Sequence, residues 1–179
     1  MKKLLSTIGL VLLVMFGASQ SAAAQQGSKM CLAIEDKAVL KILPNKVPLE
    51  AETISVDTRS FSALQFPDGS RVVITPLITS GYGQDLQAKY QFILVSESRL
   101  VIGGNQIPSG LVGIGIKPEE NREAPTRQLI ARGFTGEQIA AITLTLDTGS
   151  PAKAVKLTPK GEKEFELRFG RYVVLAKQR

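Results

Sequence analysis

Apolar and polar residues alternate with period two along much of this chain, which is the pattern of half-buried β-strands. Residues 163–169 alternate without a break: Phe165, Leu167 and Phe169 fall on one face and Glu164, Glu166 and Arg168 on the other. Residues 142–146 do the same, with Ile142, Leu144 and Leu146 on the core face between Thr143 and Thr145. A third alternating segment covers residues 53–57. Residues 60–66 and 71–75 flank Pro67-Asp68-Gly69-Ser70. There proline presets φ, aspartate caps the turn and glycine takes the left-handed position, so a β-hairpin is predicted. Shorter apolar runs at residues 30–34, 38–43, 90–95, 98–102, 111–116, 154–157 and 171–176 read as further strands, rich in β-branched and aromatic residues.

Between the strands lie turn signals: Glu35-Asp36-Lys37, the Gly103–Gln106 stretch, and Thr158-Pro159-Lys160-Gly161. Pro44 and Pro48 punctuate the chain, because two prolines in five residues are expected to stay out of a sheet ladder. Residues 117–126 form the most polar segment and read as a surface loop. Thr135 and Gln138 have capping-box spacing, which allows one short helical turn within residues 128–140. Gly113 and Gly115 alternate with Val112, Ile114 and Ile116. No phosphate-loop spacing occurs there. A glycine at every second place strips one strand face of side chains, for close approach of a neighbour or for a strong bend. The sum is an all-β fold: an antiparallel β-sandwich of about ten strands with at most one short helix.

The first 24 residues change the picture of where that fold belongs. Lys2 and Lys3 precede an apolar run ending at Phe16, and Ala22-Ala23-Ala24 supplies a small-residue cleavage site. This is signal-peptide organisation, and the run is shorter than the ~20 residues of a membrane-spanning helix. Residues 1–24 are therefore expected to be removed, leaving residues 25–179 as a single β-sandwich domain, periplasmic or secreted, with no stable membrane insertion. Without Lys2 and Lys3 the 22 basic residues fall to 20 against 16 acidic, a net charge of +4. The excess sits beyond Pro151, where an ordinary solvated strand face is favoured over an anionic partner surface.

Cys31 is the sole cysteine, so no internal disulfide can form. It reads as a small buried hydrophobe, with a dimer through an intermolecular Cys31 disulfide as the sharper alternative. Histidine is absent, which removes Ser-His-Asp and Cys-His catalysis and the usual zinc ligand sets. Glu119, Glu120 and Glu123 lack calcium-loop spacing. No metal and no cofactor is expected.

The segment from Val101 to Ile114, Val-Ile-Gly-Gly-Asn-Gln-Ile-Pro-Ser-Gly-Leu-Val-Gly-Ile, resembles a strand–loop–strand unit of exported bacterial β-sandwich families of unknown function. The resemblance implies a fold class and brings no active site. A second likeness concerns chemistry. Leu144-Thr145-Leu146-Asp147-Thr148-Gly149-Ser150 resembles the aspartic-protease pattern, which would make Asp147 one of two carboxylates sharing a proton. That dyad needs a second Asp-Thr-Gly, and this chain could obtain one only from a dimer partner. Ordinary turn chemistry also ends a strand in Asp-x-Gly.

Tyr82, between Gly81 and Gly83, is the candidate binding residue, with folding back over the core edge as the other reading. Paired glycosidase carboxylates are not signalled, aromatic platforms for carbohydrate are scarce, and the aromatic girdles of an outer-membrane barrel are missing. The expectation is an exported, non-catalytic binding or structural protein. It would have a protein or cell-envelope partner and no nucleic acid. The alternative is an aspartic-protease-like hydrolase using Asp147 in a dimer.

Overall fold

The computed structural model describes residues 30–34, 39–117 and 124–179. The signal segment, the 25–29 leader, the Glu35–Lys37 turn and Glu119, Glu120 and Glu123 lie outside the described residues. The fold is all-β and antiparallel, with one short helix. In chain order its elements are β1 (Leu32–Ile34), β2 (Lys46–Leu49), β3 (Glu52–Val56), β4 (Ser62–Gln65), β5 (Arg71–Ile78), α1 (Gln84–Lys89), β6 (Phe92–Ser96) and β7 (Leu100–Ile102). There follow β8 (Asn105–Ile107), β9 (Gly110–Ile116), β10 (Thr126–Arg132), β11 (Gln138–Leu146), β12 (Lys153–Pro159), β13 (Glu164–Gly170) and β14 (Tyr172–Gln178).

Ten of these strands run in the order β1-β4-β5-β6-β9-β10-β11-β14-β13-β12. This single sheet curls until it nearly closes into a barrel. At the seam the Leu157 N–H of β12 donates to the Ser62 hydroxyl of β4 at 2.9 Å. The Cys31 N–H donates to the Gly161 carbonyl at 3.1 Å. The layered arrangement expected from the pattern is local: the β2–β3 hairpin covers the outer face of the β4–β6 wall.

Two cores follow from that geometry. The barrel interior holds Leu64, Ile74, Leu94, Ile114, Ile142 and Phe165 among others. The outer core lies beneath the hairpin and holds Val47, Leu49, Ile54, Val73, Ile93 and Tyr90. Each fully buried side chain of this size contributes about 1.5–3 kcal/mol. β5 serves both cores: Val72 and Ile74 face inward while Val73 and Leu77 face the hairpin. That explains its run of apolar residues without alternation.

The hairpin at Pro67–Ser70 forms as expected. Gly69 has φ 86°, the Asp68 carboxylate accepts from the Ser70 N–H at 2.9 Å, and Phe66 N–H donates to Ser70 carbonyl at 2.8 Å. Gly170, with φ 62°, makes the tight β13–β14 turn. Phe165, Leu167 and Phe169 all point into the barrel core.

Three expectations are corrected. Residues 39–41 make a 3-10 turn rather than a strand, with Val39 buried in the outer core. Pro48 lies inside β2, opposite Thr53, because β2 pairs with β3 alone and no second ladder asks for the missing N–H. The short helix is α1, and residues 126–132 and 138–146 are strands with a tight connection at Gly133–Glu137. Gly136 takes φ 92° there, and the Thr135 hydroxyl bonds the Glu137 carboxylate at 2.5 Å instead of capping a helix.

Candidate functional site

Asp147 follows directly on β11 and enters a turn. Its Oδ1 accepts from the Gly149 N–H at 3.0 Å, the Asx-turn geometry expected of Asp-x-Gly. Its N–H donates to the Arg171 carbonyl at 2.8 Å, pinning the turn against the start of β14. Oδ2 accepts from Arg168 Nη2 at 2.7 Å. Arg168 belongs to the outward face of β13, yet it is 6% exposed. It also donates to Glu166 at 2.8 Å, and Lys160 approaches the same glutamate at 3.2 Å. The result is a line of alternating charge, Asp147, Arg168, Glu166, Lys160.

The Arg168 guanidinium beside Asp147, helped by Ser150 and Gly149, holds its carboxyl below the usual carboxylate range. At Glu166 burial pushes upward, and Arg168 and Lys160 more than offset it, so that carboxyl also lies low. An ionised, arginine-bound carboxylate is a poor proton carrier at neutral pH.

Beside the Asp147 turn is a cleft of about 850 Å³ at one end of the barrel. Arg127, Leu146, Thr148, Phe169, Arg171 and Tyr172 are among the residues that line it. Local sequence explains their aim. Arg127 shares strand parity with Leu129 and Ala131, both buried in the barrel core, so it enters the interior at the barrel mouth. Its guanidinium lies 4.6 Å from the centre of the Tyr172 ring, a cation–π stack. Tyr172 is held in turn by its hydroxyl, which donates to the Ala124 carbonyl at 2.8 Å. Phe169 packs on Phe92 with ring centres 5.1 Å apart. No carboxylate is among the described residues lining the cleft.

The structure places Tyr82 elsewhere. It packs on the outer core, and its hydroxyl donates to the Thr53 carbonyl at 2.7 Å, so the ring folds over the core edge. Tyr82 and Asp147 share no cleft. Cys31 is 1% exposed, its thiol donates to the Glu164 carbonyl at 3.3 Å, and burial pushes the thiol pKa up. Among the described residues no group of acidic or cysteine side chains could hold a metal ion.

Sequence reasoning passed over Arg127, Arg171 and Tyr172. The local signal was slight: an arginine near the start of each of two strands, 44 residues apart (171 − 127), joined only when β10, β11 and β14 pair. Comparison with known proteins finds no match for this chain, whether family model, curated protein or solved structure.

Proposed function

We propose that this chain is an exported, non-catalytic β-protein that works by binding, and that the barrel-mouth cleft is its ligand site. The carrying observation is the cleft itself: about 850 Å³, walled by Leu146, Phe169 and Tyr172, with Arg127, Arg171 and Thr148 as convergent polar groups. Ligand sites favour concave, mostly apolar pockets with a few placed polar groups, and the mouths of β-barrels are among their usual positions. The signal-peptide organisation of residues 1–24 and the resemblance of residues 101–114 to exported β-sandwich families support export.

The hydrolase alternative has less support, because Asp147 is engaged by Arg168 and by its own turn. The test uses protein purified from cells expressing the full chain. Its mass should correspond to a start near Gln25 in the periplasmic or culture fraction. A screen of small molecules by thermal shift should yield ligands that move the amide resonances of Thr148, Gly170 and Tyr172. Hydrolytic activity abolished by Asp147→Asn would overturn the binding reading, as would ligands that all map away from the mouth.

A further inference from the structure

Between β4 and β12 the sheet has two edges that no ladder joins. β1 follows β4 only as far as the Ile34–Ala63 pair, and β12 is laddered to β13 alone. Past Ala63 the Leu157 N–H meets the Ser62 hydroxyl, and a slot of about 400 Å³ opens there. Its lining includes Ile34, Arg59, Phe61, Ala63, Val155 and Lys156, none of which lines the mouth cleft. Backbone groups of successive residues point to opposite edges of a strand. Val155 therefore turns its N–H and carbonyl the same way as Leu157, toward β4, where among the described residues no ladder takes them up. An open edge of this kind is a template for another strand.

The charge beside the slot has one sign. Lys153 and Lys156 are exposed on β12 and form no ion pair among the described residues. On the other wall the Arg59 side chain is 89% exposed, with Asp57 at 3.6 Å as its one carboxylate neighbour. A second copy of the chain fits poorly here. Two β12 edges paired about a two-fold axis would bring these lysines together and set the Lys153–Val155 bulge into the ladder. We infer that the slot is a strand-addition site for an extended segment of a partner protein in which apolar and acidic residues alternate. The segment continues the track of β1 and pairs its backbone with Val155. Its apolar side chains turn inward beside Val155, which packs on the barrel core, and its acidic ones turn outward between Lys156 and Arg59. Main-chain hydrogen bonds hold such a segment, and its alternate side chains select it.

Three fluorescently labelled peptides with blocked ends separate backbone from charge. The first is Val-Glu-Val-Glu-Val, the second has lysine for glutamate, and the third is the first with its backbone nitrogens methylated. Anisotropy titration of the purified protein should show the glutamate peptide binding about tenfold tighter than the lysine peptide, the sum of a few exposed ion pairs. The methylated peptide should not bind, because it keeps the side chains and loses the backbone donors. Amide resonances of Phe61, Ser62, Val155 and Lys156 should move with the glutamate peptide. Lys156→Glu should reduce the preference to about threefold or less. Lys177→Glu makes the same change of charge on the exposed face of β14 and should leave the preference intact. Circular dichroism melts check that both variants are folded.

Equal binding of the methylated peptide would overturn strand addition, and equal binding of the lysine peptide would overturn the acidic partner. Equal losses in Lys156→Glu and Lys177→Glu would reduce the attraction to net charge and also sink the inference. If the glutamate peptide moves the Thr148 and Tyr172 amides instead, the slot inference falls while the mouth cleft stands as a ligand site. A dimer in sedimentation that Lys156→Glu disrupts would give the slot to a second copy, and no binding by any peptide would leave it an ordinary seam.

Discussion

At the scale of single residues, Asp147 teaches most, because one carboxylate was open to two chemistries. The Asp-Thr-Gly pattern suggested a proton-sharing dyad, and its surroundings give a turn and an ion pair. The turn was legible in sequence, since aspartate two places before glycine makes a local hydrogen bond whatever the fold. Arg168 was not, because it is 21 residues away and meets Asp147 only across strands. The pair has a pH signature whose sign follows from linkage. Asp147 titrates lower in the folded protein than unfolded. Its contribution is therefore present above the unfolded value, roughly 4, and is lost as pH falls through the lower folded value. Glu166 acts in the same direction. Urea midpoints measured from pH 6 down to pH 3 should fall for the native protein. In Arg168→Met, which leaves both carboxylates without their guanidinium, the curve should start lower and fall less below about pH 4. Parallel curves would show that the pair does not govern acid sensitivity.

At the scale of elements, β9 shows why a glycine pattern needs a neighbour to be understood. Sequence alone predicts a bare strand face at Gly113 and Gly115. In the fold that face turns outward, where a Cβ on Gly113 would lie 2.6 Å from the Tyr90 ring and one on Gly115 would collide with the Lys89 carbonyl. The bare face is the seat of α1 and Tyr90. Tyr90 is itself clamped: its hydroxyl donates to Glu50 at 3.2 Å, and burial followed by that carboxylate pushes its pKa up to about 12.

Gly113→Ala should cost about 1–3 kcal/mol, as overpacking does where a ring must shift. Gly115→Ala should cost more, because backbone cannot rotate aside. Chemical denaturation of the two variants checks the order, and equal or negligible losses would remove α1 from the account. The same packing explains why residues 128–140 carry no strand pattern in sequence and allow one short helical turn there. Ile130 is buried on the outward face, with Asp85, Ala88 and Lys89 of α1 beside it, while Leu129 and Ala131 are buried inside. A strand buried on both faces loses its period-two signature. By contrast β11 and β13, covered on one face, were readable residue by residue.

At the scale of the whole molecule, the direction of alternation matters most. Along β11, Ile142 and Leu144 point into the barrel while Ala141, Thr143 and Thr145 are exposed. Lys156 and Glu164 are exposed on β12 and β13. A barrel that faces lipid has the reverse order, apolar outside and polar within. Along β11, β12 and β13 the barrel is a packed core behind a polar face, and a wall of this kind needs its edges joined. The described joints at the seam are few: Cys31 N–H to the Gly161 carbonyl, the Cys31 thiol to the Glu164 carbonyl, and Leu157 N–H to the Ser62 hydroxyl. Leu157 is 1% exposed, so without Ser62 its N–H would stay buried with no acceptor. Ser62→Ala should therefore cost about 1–3 kcal/mol, the penalty of an unsatisfied buried donor. The loss should be local as well as global, because opening begins where joints are fewest. In native-state hydrogen exchange the Leu157 amide of Ser62→Ala should exchange much faster, while amides in the middle of the β10–β11 pair change only by the global loss. A uniform change across the sheet would mean that the barrel opens as one unit and that the seam is no weaker than its walls.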